Sequence, residues 1–142
     1  MGRETPVQWG WILGLLEDYL SEVRDIRLSG EALPERSYYP ALAGLLEEVG
    51  GGLKPKVRCF MELKEHGAGL PDGGLFTADQ VRKGGLGGQK PARGAIEVKP
   101  PVADAGAIAA TPQVLGYLEG YRQVLVTTLR EFLLLGFDER GK

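Results

Sequence analysis

The chain is poor in the residues that make covalent and soft-metal sites: it has one cysteine and one histidine in 142 residues. A lone thiol, Cys59, cannot close an internal disulfide, so a reducing compartment is expected. Nor can one cysteine and one histidine supply the paired ligands of a structural zinc site. Long hydrophobic runs are missing too. Nothing approaches the roughly eighteen apolar residues that span a bilayer. The N-terminal run Trp9 to Leu16 is closed by Glu17-Asp18 and has neither a cationic lead nor a small-residue cleavage site, so it is no signal peptide. A soluble, cytoplasmic protein without a membrane partner is expected. No excess of one charge is present: 17 Lys and Arg against 19 Asp and Glu leave a net charge of -2. That excludes a globally basic nucleic-acid binder, but it leaves room for a local basic patch offset by an acidic site. Internal repeats and heptads are absent as well.

What is present suits one globular domain: 43% hydrophobic residues, 25% charged residues and 22 glycines that demand frequent turns. Trp9, Ile12, Leu13, Leu16, Tyr19, Leu20 and Val23 recur at three and four residues and predict an amphipathic helix to Arg24, with the Trp9 face as core. Trp11, on another face, is expected against a neighbouring domain or subunit. A second helix is expected over 35–49, with Tyr39, Leu42, Leu45, Leu46 and Val49 on one stripe and Gly50-Gly51-Gly52 ending it. The period then changes to two. Strands are expected over 56–63, 72–77 and 95–98, the last stopped by Pro100-Pro101. Between the last two, residues 78–92 are polar and glycine-rich and are expected to be a mobile loop. A helix over 107–121, with Val114, Leu115, Leu118 and Tyr121 inward, and two strands over 123–127 and 131–135 complete the chain. The order α-α-β-β-β-α-β-β predicts a three-layer α/β/α fold with a mixed sheet.

Three ionisable residues fall on adjacent expected strands. Asp72 opens one; Glu97 and Lys99, two apart, project to one face of the next, with Val98 turned away. If the strands pair, Asp72 lies across from Glu97, within about 5 Å at the Cβ atoms. Two carboxylates at that spacing repel unless a cation lies between them. Hard divalent ions such as Mg²⁺ accept carboxylate, carbonyl and water oxygens. A lysine beside such an ion can steer an attacking water and offset phosphate charge. This is the equipment of metal-assisted phosphodiester hydrolysis.

GAGLPDGGLF followed by ARGAIEVKP resembles the PD-(D/E)xK nuclease superfamily, as Pro71-Asp72 and then Glu97-Val98-Lys99. Gln113 and Tyr117, four apart on one helical face, resemble the QxxxY motif that follows this core in restriction and helicase-associated members. Glu35, in ERSYYPALAGLLEEV, resembles the glutamate that a first core helix often lends to the metal site. The run from residue 31 to 137 looks most like the N-terminal endonuclease domain of type ISP and type IIG restriction-modification enzymes. The resemblance implies an α/β/α restriction-endonuclease-like core, Mg²⁺ (with Mn²⁺ as a substitute), cleavage of double-stranded DNA, and methyltransferase and specificity domains or subunits as partners; a homodimer is left open. It divides the chain into an N-terminal helix, 1–30, and the core, 31–137, and makes it part of a longer polypeptide or of a complex, with fragment and free-standing subunit both left open. By the same resemblance Asp72, Glu97 and the Val98 carbonyl hold the metal, Glu35 joins them directly or from outside, Lys99 positions water, and Gln113 and Tyr117 orient the site or touch phosphate.

Simpler readings stand beside these. Asp72, between a proline and two glycines, suits a turn. Glu97 and Lys99 suit a solvated strand edge, although Ala95, Ile96 and Val98 make that strand look buried, where charge is costly unless paired. Gln113 suits a helix surface, Tyr117 a core and Glu35 a helix start. Arg82, Lys83, Lys90 and Arg93, opposed only by Asp79, could grip a DNA backbone or simply be solvated. Gly84 to Lys90 is no P-loop, because Pro91 follows the lysine where Ser or Thr is required. His66 has no assigned role. The rival functions are a repair or recombination nuclease of the same fold and a catalytically silent DNA-binding or assembly module.

Overall fold

The computed structural model describes residues 9–29, 35–62, 71–99 and 104–137. His66 and Pro100-Pro101 lie outside them, as do the side chain of Trp9 and the residues that join the first two expected strands. Helix α1 spans Trp9–Leu28, one turn longer than the periodicity to Arg24 suggests. A 3₁₀ turn, Glu35–Tyr38, leads into α2, Tyr39–Gly51, whose Pro40 occupies the first turn, where its missing N–H costs nothing. Strands β1 (Val57–Met61), β2 (Gly73–Thr77), β3 (Gly94–Val98), β4 (Val124–Thr127) and β5 (Phe132–Leu135) form one five-stranded sheet in sequence order. All neighbours run antiparallel except β3 and β4, which are parallel. That parallel step needs a crossover, and α4 (Ala105–Ala109) and α5 (Pro112–Tyr121) lie along it.

The period-two alternation of β3 divides the core. Ile96 and Val98 face Tyr19 and Val23 of α1, Leu42 and Leu45 of α2, and Cys59 of β1. Ala95 faces the other way, with Val124 and Val126 of β4, against Ala105, Val114, Tyr117 and Tyr121. The result is the expected α/β architecture, a mixed sheet with helices on both faces, compatible with a restriction-endonuclease-like fold. The outer edge of β1 is not bare: Glu47 on α2 accepts hydrogen bonds from Cys59 N–H at 2.9 Å and Arg58 Nε at 3.0 Å. No helix among the described residues is long and apolar enough to cross a membrane.

Three expectations need correction. Residues 78–92 are not a mobile loop. They hold α3, Ala78–Lys83, and a 3₁₀ turn, Leu86–Gly88. Thr77 and Gln80 form a reciprocal capping box, and the Gln80 side chain also bonds Lys90 C=O and Ala92 N–H. Second, the helix over 107–121 is two helices, because Thr111 caps α5 through Val114 N–H and Pro112 follows it. Third, Leu115 does not point inward but is 49% exposed; Tyr117 takes the buried position instead.

Candidate active site

Asp72 and Glu97 meet because of strand register. Gly73 pairs with Ile96, so one step further along the antiparallel ladder sets Asp72 opposite Glu97. Two glycines let β2 and β3 pack closely on their outer neighbours. A Cβ on Gly73 would lie 2.6 Å from the Met61 sulfur and 2.9 Å from the Phe60 carbonyl oxygen of β1. Gly94, at φ +125°, enters β3 in a conformation that L side chains rarely adopt, and a Cβ there would meet Gln123 O at 2.6 Å. Where the β2–β3 ladder stops, the Asp72 side chain takes over: its Oδ2 accepts Val98 N–H at 2.7 Å. In an extended strand a residue's N–H and C=O point to the same edge, so the Val98 carbonyl is on the Asp72 side.

The site is acidic and half-dry. Glu97 is 3% exposed, yet it carries an ionisable carboxylate. Its Oε1 lies 3.3 Å from the half-exposed Lys99 ammonium. Its Oε2 is buried without a hydrogen-bond donor. Burial, and then the facing Asp72 carboxylate, push the Glu97 carboxyl up to about 7; Lys99 opposes the shift. A proton shared between the two acids would bridge them, whereas ionisation of both leaves Oε2 an orphan. Burial works against the Lys99 charge, but Glu97, Asp72 and Glu35 outweigh it and hold the ammonium above its ordinary range.

The other expected residues divide. Glu35 reaches the pair through Tyr39, whose hydroxyl lies 3.0 Å from Asp72 Oδ1 and 3.3 Å from Glu35 Oε2. Burial and then Asp72 raise the Glu35 carboxyl. Gln113 Nε2 donates to Tyr117 Oη at 3.2 Å; burial, and then the charge of Glu97, raise the Tyr117 hydroxyl, while Gln113 itself is exposed and is tied to the site through Tyr117. The basic residues lie on the segment from α3 to β3 that Gln80 ties together through Lys90 C=O and Ala92 N–H. Arg82 pairs with Asp79 on α3, Lys90 lies 5.4 Å above the Tyr121 ring, and Lys83 is exposed on α3. Arg93 Nε is buried with no partner.

Tyr39 is the residue that sequence reasoning assigned to the core alone. Its place in ERSYY, four after Glu35, was the available signal: helical spacing sets its side chain on the glutamate's face. Among the described residues no three Cys, His, Asp or Glu side chains are gathered as a ready-made metal cluster. The donors at hand are two carboxylates and a strand carbonyl, all hard oxygens of the kind that Mg²⁺ takes with water completing its shell. The orphaned Glu97 Oε2 fits that use, since a cation is what would satisfy it.

No family model matches the chain, and no curated protein matches it. Among solved structures it is similar to a chain in a cryo-EM structure of a DrdV–DNA complex, with a TM-score of 0.62 and 22% identity over 87% of this chain and 11% of that one. At that identity the likeness is one of fold, and the 142 residues span only a small part of the longer chain's length.

Proposed function

We propose that the chain is a metal-dependent deoxyribonuclease domain of the PD-(D/E)xK kind, serving restriction-modification. One observation carries this reading: Asp72, Glu97 and Lys99 converge at one end of β2 and β3, with a buried carboxylate oxygen left for a cation. A similar fold in a structure solved with DNA supports the choice of DNA as substrate. Asp72, Glu97 and the Val98 carbonyl would hold Mg²⁺, or Mn²⁺ in its place. The bound ion would supply Lewis-acid charge neutralisation at a phosphodiester and a more acidic water. Lys99, tethered to Glu97 and half-exposed, orients that water and offsets phosphate charge. Gln113 and Tyr117 hold the Glu97 side of the site. Arg82, Lys83, Lys90 and Arg93 contribute backbone contacts to double-stranded DNA. Methyltransferase and specificity functions would lie on further domains or on separate subunits.

The silent-module reading has its own observation. Both Asp72 oxygens already accept hydrogen bonds, and among the described residues no third acid joins the pair directly, Glu35 meeting it through Tyr39. Incubating the protein with supercoiled plasmid and Mg²⁺ or Mn²⁺ separates the two readings. The nuclease reading expects cutting by the wild type and a loss of at least about a hundredfold in D72A and K99A, each folded by circular dichroism. A folded wild-type chain that binds plasmid but leaves it intact with both ions supports the silent module.

A further inference from the structure

A carboxylate that is to seize a cation works best when its plane is fixed beforehand, because ordering it on binding costs affinity. Asp72 stands at the mouth of β2, where Glu62 N–H bonds its carbonyl at 2.7 Å; that bond holds the backbone but not the plane of the carboxylate. Two donors from other elements hold that plane: Val98 N–H of β3 on Oδ2 and the Tyr39 hydroxyl of α2 on Oδ1. A carboxylate oxygen has two lone-pair directions, so each still keeps one for a cation. Tyr39 is itself well anchored, since it packs among Leu42, Leu45 and Cys59 in the core beneath α1 and α2. Its hydroxyl also stands between two acids, Asp72 and Glu35, without adding charge. It has one hydrogen, and the shorter contact, 3.0 Å against 3.3 Å, directs it to Asp72.

We propose that Tyr39 is a positioning residue: its hydroxyl locks the Asp72 carboxylate in the orientation the cation needs and keeps Glu35 one hydroxyl away from that cation. This rests on the nuclease reading and gives Glu35 a place outside the direct ligand set. Acidic ligands are commonly oriented by such outer hydrogen bonds, and losing one typically costs about ten- to a hundredfold in metal affinity.

The experiment has two arms, both on the wild-type chain and on Y39F, which removes only the hydroxyl. In the first, Mn²⁺ alone is titrated calorimetrically. The expected result is roughly tenfold weaker binding in Y39F, while Y38F, which alters the neighbouring buried tyrosine, binds as the wild type does. In the second, melting temperatures of the metal-free wild type, Y39F, D72A and Y39F/D72A form a double-mutant cycle. Y39F is expected to lower the melting temperature of the wild type but not that of D72A, because alanine has already removed the acceptor of the same hydrogen bond. Additive losses overturn the Tyr39–Asp72 link whatever the protein's function. Unchanged Mn²⁺ affinity in Y39F, with clear wild-type binding, overturns the positioning role alone. A wild type that neither binds Mn²⁺ nor cuts DNA overturns the nuclease reading and the role of the hydroxyl with it.

Discussion

Glu97 is where stability and chemistry pull apart. A carboxylate this deeply buried, facing Asp72, keeps its proton to higher pH in the folded chain than in the unfolded one. The sign follows directly. The folded state binds more protons than the unfolded state between about 4.5 and 7, so metal-free stability is greatest below that window and falls as pH rises through it. The loss is on the order of 1–3 kcal/mol, a few degrees in melting temperature for a domain this size. E97Q removes the titrating charge. It is expected to flatten the profile and to melt higher than the wild type at pH 8, while cutting no DNA. Thermal melts across pH, with and without Mg²⁺, check this; Mg²⁺ should restore the wild type at pH 8 and leave E97Q unmoved. If the metal-free wild type does not lose stability across the window, Glu97 is not stored as a strained acid.

Among the elements, the 78–92 segment shows where local reading loses to a single side chain. Its glycines suggest a loop. The TADQ of Thr77 to Gln80 was a legible capping box that composition obscured. Less legible is the second task of Gln80, which reaches Lys90 C=O and Ala92 N–H ten and twelve residues on. Gln89 adds bonds to the carbonyls of Gln80 and Gly84. No periodicity encodes such contacts. Q80A is therefore expected to loosen the whole segment: amides from Gly84 to Arg93 should exchange at least about tenfold faster, while those of β3 and β4 hold. The first strand was legible because polar and apolar residues alternate from Lys56 to Cys59, whereas β3, buried along its whole length, was legible as a short, mostly apolar run ended by Pro100-Pro101. The carboxylate pair was legible because pairing two such short strands sets Asp72 across from Glu97. Tyr39 was hidden because a buried helix tyrosine has the same sequence signature whether its hydroxyl is idle or bonded. Likewise, the break at Ala110–Thr111 rests on a cap that apolar spacing alone cannot reveal.

At the scale of the whole molecule, α1 packs into the same buried cluster as the central strand: Tyr19 and Val23 lie there with Ile96 and Val98. The Tyr19 hydroxyl donates to Leu129 C=O at 2.7 Å across 110 residues, and its ring tilts against Phe132 at 6.0 Å. Leu129, at φ +75° and fully buried, turns the β4–β5 hairpin back, with Thr127 Oγ1 accepting its N–H at 2.9 Å. One helix thus braces the hairpin whose parallel partner strand carries Glu97. Y19F leaves the buried Leu129 carbonyl without its donor, at a cost of about 1–3 kcal/mol. Deleting residues 1–28 does far more, because it strips Tyr19 and Val23 from the cluster that holds Leu42, Ile96 and Val98. The shortened chain is expected to show no cooperative melt, whereas Y19F melts cooperatively a few degrees lower. Since Lys99 N–H is held by Thr127 C=O at 2.9 Å, loosening the hairpin should also reach the site: Y19F is expected to weaken Mn²⁺ binding slightly, by less than the loss in Y39F. A truncated chain that melts sharply at the wild-type temperature would place the folding unit after α1 and sever this route from the hairpin to the carboxylates.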